Sequence, residues 1–145
     1  MKIVDANVLL YAVNESDDKH AESRVWLDDA LSATEPIGFS WLVMLAFLRL
    51  STKVGLFPDP LPPGEALDRV EAWIEQSPSV VLDPTRRHLS IVRGLLAETG
   101  SGGNLVNDAH LACLALEHGA TVVTYDSDFG RFEGVRWRRP AELDG

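Results

Sequence analysis

Four short apolar runs set apart by stretches of helical period constrain this chain more than any other feature. Lys2 to Asp5 (KIVD), Pro36 to Ser40 (PIGFS), Ser79 to Leu82 (SVVL) and Thr121 to Thr124 (TVVT) are too short for helices and read as strands. KIVD has the near-continuous apolar character of a parallel strand buried on both faces. Strands that alternate with helices predict an α/β layered fold with a mostly parallel central sheet flanked by helices. At 145 residues the chain matches the commonest domain size, so a single domain over residues 1–145 is expected.

The segments between the runs carry the helices. Ala6 to Ala12 reads as a short helix leaving the first strand. In Asp17 to Ala33, residues Ser23, Trp26, Leu27, Ala30 and Ala33 share one uncharged face, with Arg24 and Asp28 opposite. Ser40 is a good N-cap for Trp41 to Leu50, whose nearly all-round apolar character predicts a buried helix. Phe57 to Gly64 (FPDPLPPG) reads as a loop, Glu65 to Gln76 and Thr85 to Thr99 as helices, and Gly100 to Gly103 as a turn. Leu105 to His118 is a helix with Asn104 as N-cap and Gly119 as its stop. Val135 to Trp137 reads as a short last strand. Trp26, Trp41 and Phe47 are read as core.

No apolar run approaches the roughly 18 to 20 residues that span a bilayer, and Asp5 and Asn7 interrupt the only leader-like stretch. A cytoplasmic protein is expected, and the single cysteine, Cys113, fits a reducing compartment. Its neighbours (LACLAL) make it plain core. The net charge of −9 is unusual for a protein that grips phosphates. Either the acids form a solvated surface, or some converge where a cation inverts the local electrostatics. Arg131 to Arg139 (RFEGVRWRR) is the one basic cluster, read as a solvated tail with phosphate contact as the alternative.

In open parallel sheets, ligands bind beyond the carboxyl ends of the strands. Asp5 ends the first strand, Asp126 follows the fourth with Asp128 two residues on, and Asp108 lies in the first turn of the helix before the fourth strand. Gathered together, such carboxylates repel one another unless a cation sits between them. Magnesium is the natural ion, hard and content with a few carboxylates plus water. It would suit phosphodiester cleavage. Each acid also has a local reading, Asp5 and Asp126 as turn or cap residues and Asp108 as a complement to its helix dipole. Zinc is poorly supported, since Cys113 stands alone and His20, His88, His110 and His118 are scattered helix-face residues.

IVDANVLLYAV at the start and GNLVNDAHLACLALEHGATVVTYDSDFGRF near the end resemble the opening and closing motifs of the PIN domain, and within it the VapC-type toxins of toxin–antitoxin pairs. The resemblance spans nearly the whole chain. It implies a PIN-like three-layer fold and a magnesium-dependent endoribonuclease, with manganese as the alternative ion. Asp5, Asp108 and Asp126 would hold the metal, with Thr124 and Asp128 in support. The implied partners are an RNA substrate, a cognate antitoxin protein and a second copy of the chain in a homodimer.

One departure stands out. The family usually carries a glutamate three residues before an arginine in the helix after the second strand. Here Arg49 is kept, but the matching position is Ala46, and no acid occurs between Trp41 and Pro58. Either Ala46 is natural and the metal site weaker, or it was introduced to silence a toxin. Ala46 also supports a rival reading, a PIN-fold module that binds RNA or antitoxin without cutting. A phosphatase lacks support, because the first strand is followed by DANVL rather than a DxDxT-like motif and no GxxxxGK[ST] loop occurs. A hydrolase triad lacks its Gly-x-Ser-x-Gly elbow.

Overall fold

The computed structural model describes residues 1–143. Its chain order is β1 (Lys2–Val4), α1 (Ala6–Val13), α2 (His20–Ser32), β2 (Ile37–Ser40), α3 (Trp41–Ser51), α4 (Pro63–Ile74), β3 (Ser79–Leu82), α5 (His88–Thr99), α6 (Leu105–His118), β4 (Thr121–Val123) and β5 (Trp137–Arg138), with 3-10 turns at Ser127–Arg131 and Pro140–Leu143. The five strands form one all-parallel sheet in the order β3-β2-β1-β4-β5. Six helices flank it, as the alternating pattern predicts. No described helix is long and apolar enough to cross a membrane.

Burial follows position in the sheet. Ile3 and Val4 of β1 and Val122 and Val123 of β4 are fully buried, because both faces of these inner strands are covered. Edge strand β3 leaves Val80 and Val81 partly open to solvent. Gly38 of β2 leaves room for Leu82, since a Cβ there would stand 2.5 Å from the Leu82 Cδ1 atom. Strand order reverses at β1: the chain builds outward through β2 and β3, then crosses back to lay β4 on the other side of β1. That reversal opens a crevice between the carboxyl ends of β1 and β4.

Several boundaries move. Residues Asp17–Lys19 form turns, and α2 begins at His20, so Ala33 falls outside it and is exposed, while Ser23, Trp26 and Leu27 are buried. Helix α4 starts at Pro63, inside the expected loop, because proline fits the first helical turn where no N–H bond is needed. Helix α5 starts at His88 rather than Thr85, and β5 covers Trp137–Arg138 rather than Val135 to Trp137. Ser40 caps α3 as expected, its Oγ accepting from the Val43 N–H at 3.1 Å, and Gly119 ends α6 in the left-handed conformation. Asn104 precedes α6 but its side chain makes no capping bond, because its backbone is already helical.

The largest correction concerns α3. It is not buried all round: Val43, Met44, Phe47 and Ser51 face the core, while Trp41 is 55% and Leu45 58% exposed. Trp26 and Phe47 are core residues as expected; Trp41 is not.

Candidate metal centre

The crevice between β1 and β4 is built from the ends of those two strands. The Asp5 N–H donates to the Val123 carbonyl at 3.0 Å, which continues the sheet one residue past β1 and turns the Asp5 side chain into the crevice mouth. There Asp5 Oδ1 accepts from the Ala6 N–H at 2.7 Å, capping α1, while Oδ2 accepts from the Thr124 hydroxyl at 2.8 Å. Asp5 therefore caps α1 and also faces the crevice.

Thr124 is fully buried and its hydroxyl is a hub. Besides donating to Asp5, its Oγ1 accepts from Asn7 Nδ2 at 3.1 Å and from the Asp126 N–H at 3.0 Å. Asn7 closes the arrangement: its Nδ2 also reaches Asp5 Oδ2 at 3.3 Å, and its Oδ1 accepts from the Tyr125 N–H at 3.2 Å. Asp126 Oδ1 in turn accepts from the Asp128 N–H at 2.9 Å, capping the 3-10 turn Ser127–Arg131.

Carboxylate oxygens of Asp108, Asp126 and Asp128 all lie within 4.8 Å of one another. Asp5 is not in that trio but shares a cleft with Asp108, lined also by Ala46, Arg49 and Asn107. The electrostatic strain is visible in the protonation equilibria. The Asp108 carboxyl is pushed up to about 7 by burial, then by the charges of Asp126, Asp5 and Asp128 and a hydrogen bond shared with Asp126. Asp5 is also raised, by burial first and by Asp126, against the opposing bonds from Thr124 and Ala6. With carboxylate oxygens as its donors, the site fits a hard divalent cation, which would replace the missing positive charge.

Of the residues expected in the site, Asp108, Asp126 and Asp128 come together as potential ligands, Asp5 stands beside them, and Thr124 braces Asp5 and Asp126. Ala46 faces the cleft shared by Asp5 and Asp108, with Arg49 lining the same wall. Asn7, expected only as a polar neighbour, braces the site, and Asn107, which no motif marks, lines it. Arg131 lines a second cleft with Asp108, Asp126 and Asp128. Arg131 is exposed, as the solvated reading of the basic cluster expects, and stands at the end of the 3-10 turn that Asp126 caps.

A second correction lies between α5 and α6. Cys113 does not stand alone, nor are all the histidines scattered: His88, Cys113 and Glu117 meet with ligand atoms within 4.8 Å, and His110 touches His88. His88 and Cys113 come from two different helices and lie 25 positions apart, a separation that local spacing rules do not test.

A five-stranded parallel sheet flanked by helices, with carboxylates gathered at its reversal point, defines an α/β protein with an acidic crevice beyond the strand ends. A family model described as PIN domain matches residues 2–135, and the chain belongs to that family. It is 57% identical over 143 residues to Ribonuclease VapC37 of Mycobacterium tuberculosis, with 99% of each chain covered. Among solved structures it resembles VapBC2 from Rickettsia felis bound to a promoter DNA fragment, with a TM-score of 0.68 at 19% identity and 95% and 97% of the two chains covered. It also resembles Mycobacterium tuberculosis VapC20, described as a sarcin–ricin loop cleaving toxin, with a TM-score of 0.68 at 16% identity over 94% and 99%.

Proposed function

We propose that the chain is a magnesium-dependent endoribonuclease, the toxin of a type II toxin–antitoxin pair acting in the cytosol. The observation that carries this reading is the meeting of Asp108, Asp126 and Asp128 beside Asp5 at the reversal point of the sheet. Kinship with a protein named as a ribonuclease supplies the substrate class.

Asp5, Asp108 and Asp126 would hold the ion, with Asp128 as a further carboxylate at its edge. A bound magnesium ion, or manganese in its place, supplies an acidified water and offsets charge on the phosphodiester oxygens. The chain's own groups do the positioning. Thr124 and Asn7 fix the Asp5 carboxylate, so that it keeps one orientation without reorganising. Arg131 and Arg49, on the two clefts that Asp108 joins, are placed to meet phosphates that the acids alone would repel. A cognate antitoxin would cover this acidic cleft with a basic or aromatic segment. The exposed Trp41 and Leu45 of α3 would form part of a homodimer contact.

A second reading is favoured by Ala46, which leaves the cleft without the fourth acid of the family pattern: a PIN-fold module that binds RNA or antitoxin without cutting. The test is RNA cleavage in magnesium, using a tRNA pool and a sarcin–ricin loop RNA, for this chain and for Ala46→Glu, each with an EDTA control. Cutting that rises at least tenfold with the glutamate and vanishes with EDTA supports the nuclease. Absence of cutting by both folded proteins would overturn it in favour of the binding module.

A further inference from the structure

We propose that His88, Cys113 and Glu117 form a second metal site, for zinc, in the seam between α5 and α6 and separate from the carboxylate centre. His110, Cys113 and Glu117 follow one another on α6 at steps of three and four, so they make a single stripe along that helix. The stripe faces His88, the first residue of α5. Asp108 is two positions from His110, about 200° around the helix, so the carboxylate centre lies on the other side of α6.

The donor atoms converge. Cys113 Sγ lies 3.0 Å from His88 Nδ1 and 3.1 Å from Glu117 Oε1, and His88 Nδ1 contacts the same carboxylate oxygen. A tetrahedral zinc ion with ordinary bond lengths sets sulfur and nitrogen ligands about 3.5 Å apart. Moving the sulfur out by about half an ångström, and parting the closer His88–Glu117 pair by about twice that, would therefore admit the ion. The groups are withdrawn from solvent, with Cys113 buried and the Glu117 side chain 1% exposed. The thiol gives the set a softness that the all-oxygen centre lacks, which favours zinc over magnesium.

The outer contacts match those of a metal site. His88 Nε2 lies 2.8 Å from His110 Nδ1, so His110 would hold a proton on Nε2 once Nδ1 takes a metal. The other oxygen of Glu117 accepts from the Thr85 N–H at 2.6 Å, which fixes the carboxylate plane. In the metal-free chain the thiol donates its proton to Glu117. Binding exchanges that proton for the ion: the S–H bond breaks as a metal–sulfur bond forms, the proton that His88 Nδ1 shares with Glu117 gives way to one on Nε2, and the thiol proton leaves to solvent with no change of oxidation state.

Cobalt(II) is the probe, because a thiolate bound to it gives a sulfur-to-metal charge-transfer band in the near ultraviolet. The full chain, stripped by chelator, is titrated with cobalt(II) in millimolar magnesium. The same titration is run on Asp126→Asn, Cys113→Ser and Glu117→Gln. The site predicts a band that saturates at one cobalt per chain, is bleached by zinc, survives Asp126→Asn and disappears in Cys113→Ser. Glu117→Gln is expected to bind cobalt at least tenfold more weakly. Absence of the band from the unmutated, folded chain would overturn the proposal without reference to any variant's stability, and so would a band that Cys113→Ser retains. Either result leaves the ribonuclease reading untouched.

Discussion

The Thr124 hydroxyl donates to Asp5 Oδ2 at 2.8 Å across 119 positions of sequence, tying the end of β4 to the end of β1 at the mouth of the crevice. The same oxygen accepts from Asn7 and from the Asp126 backbone. Removing it leaves three buried or half-buried polar groups short of a partner at once. Thr124→Val keeps the shape and deletes the hub. It is expected to cost about 2 kcal/mol, near the middle of the range for a buried donor or acceptor left unsatisfied. That corresponds to a Tm drop of roughly 5 °C for a chain of this size. Magnesium affinity, read by the Tm rise on adding the ion, should fall with it. Thr124→Ser keeps the hydroxyl and should recover most of both. A Thr124→Val protein with unchanged Tm would show that the hub is dispensable.

The carboxylate cluster predicts a dependence of stability on pH. Asp108 titrates near 7 in the native chain against an ordinary value of 3.8, so the native state holds that proton more tightly than the unfolded chain. The resulting stability is complete below about pH 4 and is lost as pH rises through about 7. Asp5, also raised, acts in the same direction. Glu35 and Glu117 are shifted downward, so their contributions vanish only under more acid conditions. Asp108 is only half-buried, and solvent screening reduces the effect to about 1 kcal/mol, or roughly 3 °C in Tm. The metal-free protein should therefore melt lower at pH 8 than at pH 5. Asp108→Asn should flatten this difference and raise the metal-free Tm at pH 8, while removing most of the stabilisation by magnesium. A metal-free Tm that stays level or rises between pH 5 and pH 8 would contradict this account.

Much of this arrangement is legible in the sequence because two periodicities carry it. KIVD and TVVT are short apolar runs that read as parallel strands, so Asp5 at the end of the first and Asp126 just beyond the second are expected at the carboxyl edge of one sheet. Asp108 follows from the helix that leads into TVVT. What periodicity does not encode is contact between elements. The Asn7 bridge to Thr124 and Tyr125 depends on side-chain angles at a crevice that exists only once β1 and β4 pair. The meeting of His88 with Cys113 depends on how α5 lies against α6. The exposed face of α3 escaped for a different reason: an apolar residue covered by its own core and one left bare have the same letter.

Arg131 offers a way to separate phosphate contact from metal binding. It sits beside Asp126 and Asp128 without belonging to the carboxylate set. If it meets RNA, Arg131→Ala should raise KM several-fold while changing kcat little, because the metal and the reacting groups remain. The dependence of log Kd on log salt should flatten by about 0.7, as for one lost contact to a single strand. Measuring both on the Ala46→Glu background keeps cleavage readable. A loss confined to kcat would place Arg131 against the transition state instead.

Trp41 and Leu45 lie four residues apart on α3, so they stack on one exposed face of that helix, away from Val43, Met44 and Phe47. Two large apolar side chains more than half exposed on adjacent turns are costly to leave in water. If they meet their counterparts in a second copy, the pair becomes the centre of a two-fold contact in which the same patch serves both partners. A charge placed there is then duplicated by symmetry: Leu45→Glu sets two carboxylates against each other in an apolar seam. That variant should shift the protein to a monomer in sedimentation at micromolar concentration. Its Tm at high dilution should match the parent, because Leu45 makes no core contact to lose. Leu45→Met, similar in volume and apolar, should remain dimeric. A parent chain that sediments as a monomer across the micromolar range would refute the homodimer and leave this face for the antitoxin.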